Sequence, residues 1–254
     1  MAPLALALIG YGKMGQAIEV LVKKSPQEFT IANIYKGRSE KDLAHFMDSA
    51  DVVIDFTNSS LTDAVIDAAS QLKNPLLIGT TGISDQTYEY AKKASSLIPI
   101  CIAPNTSLAM TILGAITQKV SALLGPDYDI EITETHHRDK VDAPSGSTLM
   151  LGKAAALGRS SQSLDSSSKN PSFDVTYPHT QKRKPGSIGF AVSRGGGVFG
   201  EHSVRFLGDF DTLEFSHRAL SRDLFAKGAL VLAKALSQKN PGFYTPADLL
   251  GLSF

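Results

Sequence analysis

Apolar residues in the first hundred positions come in short solid blocks separated by stretches of helical spacing. Leu4-Ala-Leu-Ala-Leu-Ile9 is apolar throughout and stops at glycine, as a strand covered on both faces does. Residues 16–24 follow with Ala17, Ile18, Leu21 and Val22 on one side of a predicted helix. The alternation continues. Strands are predicted at 29–34, within 49–56, at 75–78 and at 98–102, with helices at 61–72 and about 84–95. Strand and helix taking turns in this way predict an α/β fold built on a parallel, doubly wound sheet.

The pattern changes after Asn105. Residues 111–124 predict a long helix, and Tyr128-Asp-Ile-Glu-Ile-Thr-Glu134 alternates like a half-exposed strand. A helix is predicted from Ser145 to about 157. The Ser-, Gln-, Asp- and Asn-rich residues 159–172 predict a mobile loop. Strands at 188–194, 200–207 and 212–217 and an amphipathic helix at 222–237 complete the chain. No internal repeat is present. The composition shift near Asn105 marks one domain boundary.

Composition narrows the possibilities. The 254 residues are 43% hydrophobic and 20% charged, enough for a substantial core. Lys+Arg and Asp+Glu are both 25, so no net charge favours nucleic acid or a membrane surface as partner. The single cysteine, Cys101, lies in an apolar run and reads as a small buried hydrophobe of a reducing compartment. No targeting segment is read, and no stretch approaches the about 20 apolar residues of a membrane span. A cytoplasmic protein is expected.

Gly10-Tyr-Gly-Lys-Met-Gly15 sits between the first strand and the first helix. Glycines there allow a tight turn and close approach of backbone to a pyrophosphate, which the helix N-terminus attracts. Such a loop is a weak signal alone. Placed between strand and helix, it predicts dinucleotide binding. The acidic residue that commonly holds a ribose 2′-hydroxyl is missing at the end of the second strand, where Tyr35-Lys36-Gly37-Arg38 stands instead. Lys36 and Arg38 suit a 2′-phosphate, which favours NADPH over NADH. Gly79-Thr-Thr-Gly82 and Ala103-Pro-Asn-Thr106 end later strands on the edge where such sheets bind ligands.

His136, His137, Arg138 and Lys140 put four potential cations in five positions. By themselves they could form a basic solvated turn. Asp142-Ala-Pro-Ser-Gly-Ser147 then leads into a predicted helix, so Ser145, Gly146 and Ser147 begin a helix, a ready anion site. Cations beside helix N–H groups suit a carboxylate-bearing substrate, and histidine can move a proton near neutral pH. The paired histidines lack metal-site spacing and point to opposite faces of a strand, so no metal is predicted. A serine-hydrolase elbow is absent.

Glu134-Thr-His-His-Arg-Asp-Lys-Val-Asp-Ala-Pro-Ser-Gly-Ser147 closely resembles the signature of the 4-hydroxy-tetrahydrodipicolinate reductase (dihydrodipicolinate reductase) family. The resemblance extends to Asp55-Phe-Thr57, Gly79-Thr-Thr-Gly82, Ala103-Pro-Asn105, Ile188-Gly-Phe190 and Gly200-Glu-His202. It implies an N-terminal Rossmann dinucleotide-binding domain of residues 1–107 and 221–254, and an α+β domain with a mixed sheet, residues 108–220, for substrate binding and assembly into a homotetramer. The implied reaction is NAD(P)H-dependent reduction of a cyclic imine dicarboxylate with loss of water, in diaminopimelate and lysine biosynthesis. By the family pattern His136 is the general acid/base and Lys140 a second proton donor, while His137, Gly146 and Ser147 hold the substrate. Gly10, Tyr11, Gly12, Lys13, Met14, Lys36, Gly79, Thr80, Thr81, Ala103, Pro104, Asn105 and Thr106 match cofactor positions. Lys13 stands where the family usually has arginine, Ser147 replaces a common threonine, and the glycine loop is one residue short.

Two rival readings remain at this level. Another Rossmann reductase would share the glycine loop without the His-His-x-x-Lys to Ser-Gly arrangement. A silent NADP(H) sensor would need no paired proton donors.

Overall fold

The computed structural model describes residues 2–37, 43–160, 173–174 and 182–252. From the N-terminus the elements run β1 (Leu4–Ile9), α1 (Lys13–Lys24), β2 (Phe29–Tyr35), α2 (Leu43–Met47), β3 (Val52–Asp55), α3 (Thr62–Leu72), β4 (Leu76–Ile78), α4 (Asp85–Ala94) and β5 (Pro99–Ile102). Next come α5 (Leu108–Leu124), β6 (Asp129–His136), α6 (Gly146–Ser160), β7 (Phe173–Asp174), β8 (Ile188–Arg194), β9 (Glu201–Leu207) and β10 (Thr212–Arg218). The chain closes with α7 (Asp223–Leu236), β11 (Gly242–Tyr244) and α8 (Pro246–Leu249). Two compact units result, Met1–Leu108 with Asp223–Ser253, and Ala109–Arg222.

The first unit carries a six-stranded sheet in the order β11-β5-β4-β3-β1-β2, parallel throughout. Its strands read as solid apolar runs because both faces are covered. Leu6 and Leu8 of β1, Val52 and Ile54 of β3, Leu77 and Cys101 enter one core with Ile18 and Val22 of α1 and Ala229, Leu232 and Leu236 of α7. Their neighbours Ala7, Ile9, Val53, Leu76, Ile78 and Ile100 enter the other, under Met47, Val65, Ile66 and Ala91. Each large aliphatic side chain so buried contributes about 1.5–3 kcal/mol. The strand order reverses direction between β1 and β3, which makes the carboxyl ends of those strands the crevice of this unit.

The second unit is built on a five-stranded sheet, β10-β9-β6-β8-β7, antiparallel between β6, β9 and β10 and parallel between β6, β8 and β7. Period two sends Ile130 and Ile132 of β6 to one face, beside Ile188, Phe190, Val204 and Phe206 of the neighbouring strands, with Met110, Leu113, Leu151 and Ala155 of α5 and α6 packed on them. A Cβ on Gly158 would come within 2.2 Å of the Gln118 carbonyl, so glycine is what lets α6 lie against α5.

The predicted elements are present with small shifts at their ends. α5 begins at Leu108, ahead of the expected 111. The elements α2, β7, β11 and α8 were not predicted. The expectation that no stretch reaches membrane-span length needs correction. Leu108–Asp127 is a helical run of 20 residues containing an 18-residue stretch of mean hydropathy 1.4, long and apolar enough to cross a membrane by those measures. Counting only unbroken apolar residues missed it, because Thr117, Gln118, Lys119 and Ser121 interrupt the run. Met110, Leu113, Thr117 and Ser121 are buried within the second unit. The stretch predicted as a loop at 159–172 lies, apart from the end of α6, outside the described residues.

Candidate functional site

In the first unit the candidate cofactor residues gather at the carboxyl edge of the parallel sheet. Gly10 has φ +103, and a Cβ there would meet the Phe56 carbonyl oxygen at 2.4 Å. A Cβ on Gly15 would meet the Gly10 carbonyl at 2.3 Å, which explains how α1 starts so close to β1. Gly12 differs: a Cβ there would stand in open space. Gly12 is also the N-cap of α1, with no side chain capping the first turn, so that turn's N–H groups and the helix dipole are presented to the crevice. This cradle fits a pyrophosphate. Lys13 and Met14 form the first turn, and Tyr11 donates its hydroxyl hydrogen to Glu19. The exposed Lys36 holds its Nζ 3.9 Å from the centroid of the Tyr11 ring. Arg38 lies outside the described residues.

The loops after β3, β4 and β5 are tied together beneath that edge. Asp55 is fully buried and accepts hydrogen bonds from the Thr57 N–H at 2.9 Å, the Thr57 hydroxyl at 2.6 Å and the Thr80 hydroxyl at 3.0 Å. Burial raises the Asp55 carboxyl above its ordinary range, against the pull of these donors. Gly79 packs under the Phe56 ring, while Thr81 and Pro104 are exposed. Ala103 is buried, and Asn105 accepts from the Ser107 N–H at 2.9 Å. Thr106 donates to the Phe225 carbonyl at 2.7 Å, anchoring this loop to the start of α7.

In the second unit one sheet face changes character along its length. The apolar row Ile130 and Ile132 continues on the same face as Glu134 and His136. The register brings His202 of β9 opposite Glu134, His217 of β10 opposite His202, and Arg194 of β8 opposite His136. A carboxylate, three imidazoles and a guanidinium thus extend the core. Glu134 is 2% exposed. It accepts from the Ser145 N–H at 3.1 and 3.2 Å, from the Thr148 hydroxyl, and from Arg194 Nη2 at 3.0 Å. Burial works against its ionisation, but the bonds from Ser145, Thr148 and Arg194 outweigh it and hold the carboxyl below its ordinary range. His136 Nδ1 is 3.5 Å from the same carboxylate, and His202 Nε2 is 3.8 Å from it. Burial lowers all three histidines, His202 to about 4.

The predicted basic cluster separates around this row. His136 turns inward, His137 is half-buried, and Arg138 is exposed. Lys140 Nζ pairs with Asp142 at 2.8 Å. Gly146 and Ser147 form the first turn of α6, and a Cβ at Gly146 would meet nothing. Sequence reasoning gave Glu134 and Arg194 no role. The i, i+2 spacing of Glu134 and His136 on an alternating strand was the available signal for the first. No local signal points to Arg194, which register alone brings in.

Glu134, His136 and His202 also form a donor set of the kind that can hold a metal, with ligand atoms within 4.8 Å of one another. The Arg194 guanidinium, 3.0 Å from the same carboxylate, adds a positive charge that opposes a divalent cation there.

Two family models match consecutive parts of the chain: "Dihydrodipicolinate reductase, N-terminus" over residues 4–106 and "Dihydrodipicolinate reductase, C-terminus" over residues 109–250. The 4-hydroxy-tetrahydrodipicolinate reductase of Zymomonas mobilis subsp. mobilis is 40% identical over 97% of both chains. That of Caulobacter vibrioides is 39% identical over 98% of both. Among solved structures, a dipicolinate-bound dihydrodipicolinate reductase from Paenisporosarcina sp. TG-14 superposes with a TM-score of 0.73 at 19% identity, covering 97% of this chain and 98% of the other, a likeness of fold. An engineered D-amino acid dehydrogenase bound to NADP+ shares the fold more distantly, with a TM-score of 0.57 at 13% identity over 99% and 96% of the two chains. With both halves matched in order and full-length relatives near 40% identity, the chain belongs to the dihydrodipicolinate reductase family.

Proposed function

We propose that this oxidoreductase catalyses the reaction its relatives are named for, the NAD(P)H-dependent reduction of 4-hydroxy-tetrahydrodipicolinate to tetrahydrodipicolinate with loss of water. The observation that carries the reading is the row in the second unit, where the inward imidazole of His136 stands 3.5 Å from the Glu134 carboxylate that also accepts hydrogen bonds from the start of α6. In this reading His136 moves the proton at the ring carbon next to the one reduced, with Lys140 as the second donor. Burial keeps His136 predominantly neutral near pH 7, and a bound dicarboxylate raises its proton affinity by adding negative charge beside it. Lys140 is available to a substrate because Asp142, its partner, is 61% exposed and such pairs are weak. Gly146, Ser147 and His137 hold a substrate carboxylate against the N-terminus of α6.

In the first unit Gly10, Tyr11, Gly12, Lys13 and Met14 take the pyrophosphate, and the loops Gly79, Thr80, Thr81 and Ala103, Pro104, Asn105, Thr106 take the rest of the dinucleotide. Reduced nicotinamide, when bound, supplies the hydride. Lys36 favours NADPH, because its ammonium stands at the end of β2 beside the Tyr11 ring, where the sequence Tyr35-Lys-Gly-Arg38 carries no acid. The first unit is thus the dinucleotide-binding domain and the second the substrate domain.

A homotetramer assembled through the second unit follows the family resemblance, and the exposed Phe210, Leu213 and Leu220 support an assembly surface there. The reduced, buried Cys101, whose thiol burial pushes up to about 12, suits a cytoplasmic setting. An assay coupled to the synthase that makes the hydroxylated ring, followed by nicotinamide absorbance with NADPH and NADH in parallel, tests the proposal. Oxidation that depends on the synthase product supports it. None with either nucleotide rules it out.

A further inference from the structure

We infer that the buried Glu134–Arg194 pair is the positioning device of this site: it sets when His136 carries its proton and holds the Lys140 loop and the start of α6 around that histidine. The inference deepens the proposed function and rests on its reading of His136.

Glu134 sits two residues before His136 on the same face of β6, and its side chain has no exposed surface. A carboxylate so placed must be matched by donors. One set comes from α6, through the Ser145 N–H and the Thr148 hydroxyl. The other is Arg194, and that guanidinium does more than neutralise. Its Nε donates to the Lys140 carbonyl at 3.2 Å and its Nη2 to the Asp142 carbonyl at 2.6 Å. One ion pair therefore ties together β6, the loop bearing Lys140 and the first turn of α6. The proton donors and the carboxylate-binding turn are thereby held in one framework, although ten residues of sequence separate His136 from Gly146.

Among the described residues, the groups facing His136 are Glu134 on its own strand, Arg194 on β8, His202 on β9, and Lys140 and Asp142 on the loop. Burial and the cations disfavour a protonated ring; Glu134 and Asp142 favour it. Asp142 is already engaged by Lys140 and mostly exposed, so Glu134, 3.5 Å from Nδ1, supplies the main negative charge. The ring cannot easily move away from it. A Cβ on Gly200 would come within 3.0 Å of His136 Nε2, so the backbone of Gly200 closes the other side. Glu134 and Arg194 thus act on His136 with opposite signs.

That opposition gives the test. In the full-length protein, the histidine Cε1–H resonance of His136, assigned by its absence in His136→Gln, is titrated in the parent, in Glu134→Gln and in Arg194→Gln. Loss of the carboxylate should lower the midpoint by about one pH unit, as removal of an adjacent opposite charge does. Loss of the guanidinium should raise it. The pH profile of kcat/KM should move with each midpoint. A purely structural role predicts no such opposite pair of shifts. An unmoved midpoint, or two shifts of the same sign, overturns the inference. If Glu134→Gln fails to fold, the rise in Arg194→Gln decides alone. A His136→Gln variant with normal turnover would instead overturn the proton-donor reading and leave the titration result standing.

Discussion

The imidazole rings of His136 and His202 meet edge-on, with centroids 5.1 Å apart and planes inclined at 77°. Both belong to the inner face of the mixed sheet, where the apolar rows of β6 and β9 run out into titratable groups. His202 is 5% exposed, and burial, with His136 as the next cause, lowers it to about 4.

This relationship makes the fold sensitive to acid. The folded protein resists protonating His202 until near pH 4, whereas an unfolded chain protonates it near 6.5. Between those values the unfolded state binds more protons, so stability is full above about pH 6.5 and declines as pH falls toward 4. The difference amounts to about 3 kcal/mol for His202, and His136 adds to it with the same sign. Urea unfolding across pH 4–7 should trace that slope, and His202→Asn should flatten it. A slope unchanged in the variant would show that His202 is not the group responsible.

The glycine loop separates folding from binding. Gly15→Ala drives a methyl into the Gly10 carbonyl and should cost about 1–3 kcal/mol of stability. Gly12→Ala meets nothing and has an ordinary φ of −74, so its melting temperature should stay close to the parent's. The same methyl occupies the approach of a pyrophosphate, so NADPH affinity should fall by at least about tenfold. Thermal melts paired with nucleotide titrations read both effects. Undiminished affinity in Gly12→Ala would remove the loop from the cofactor site.

Replacing Lys36 with methionine should raise the KM for NADPH by about tenfold and leave that for NADH unchanged, because only the former carries the 2′-phosphate dianion. Equal effects on both nucleotides would assign Lys36 to the shared part of the cofactor or to none of it.

Much of this architecture is legible in the chain. β1 carries the predicted bounds because Leu6 and Leu8 face one core and Ala7 and Ile9 the other, which leaves no polar position inside the strand. The elements α2, β11 and α8 escaped because three to five residues are too few to show a period. At the site, the segment from Glu134 to Ser147 announced itself by composition. What it could not reveal was its own division, with His136 inside and Arg138 outside, or the identity of its organising partners. Arg194 and His202 are some sixty residues downstream of Glu134, and strand register alone brings them to it. A surface charge cluster and a buried charge network read alike until the sheet is assembled.

His136 carries the central chemical role in the proposed reaction. In the coupled reduction assay, His136→Gln should lower kcat by between about a hundredfold and ten-thousandfold, the span of general acid–base contributions, with substrate KM and NADPH affinity little altered. A variant that retained near-normal kcat would contradict the claim that this buried imidazole moves the proton.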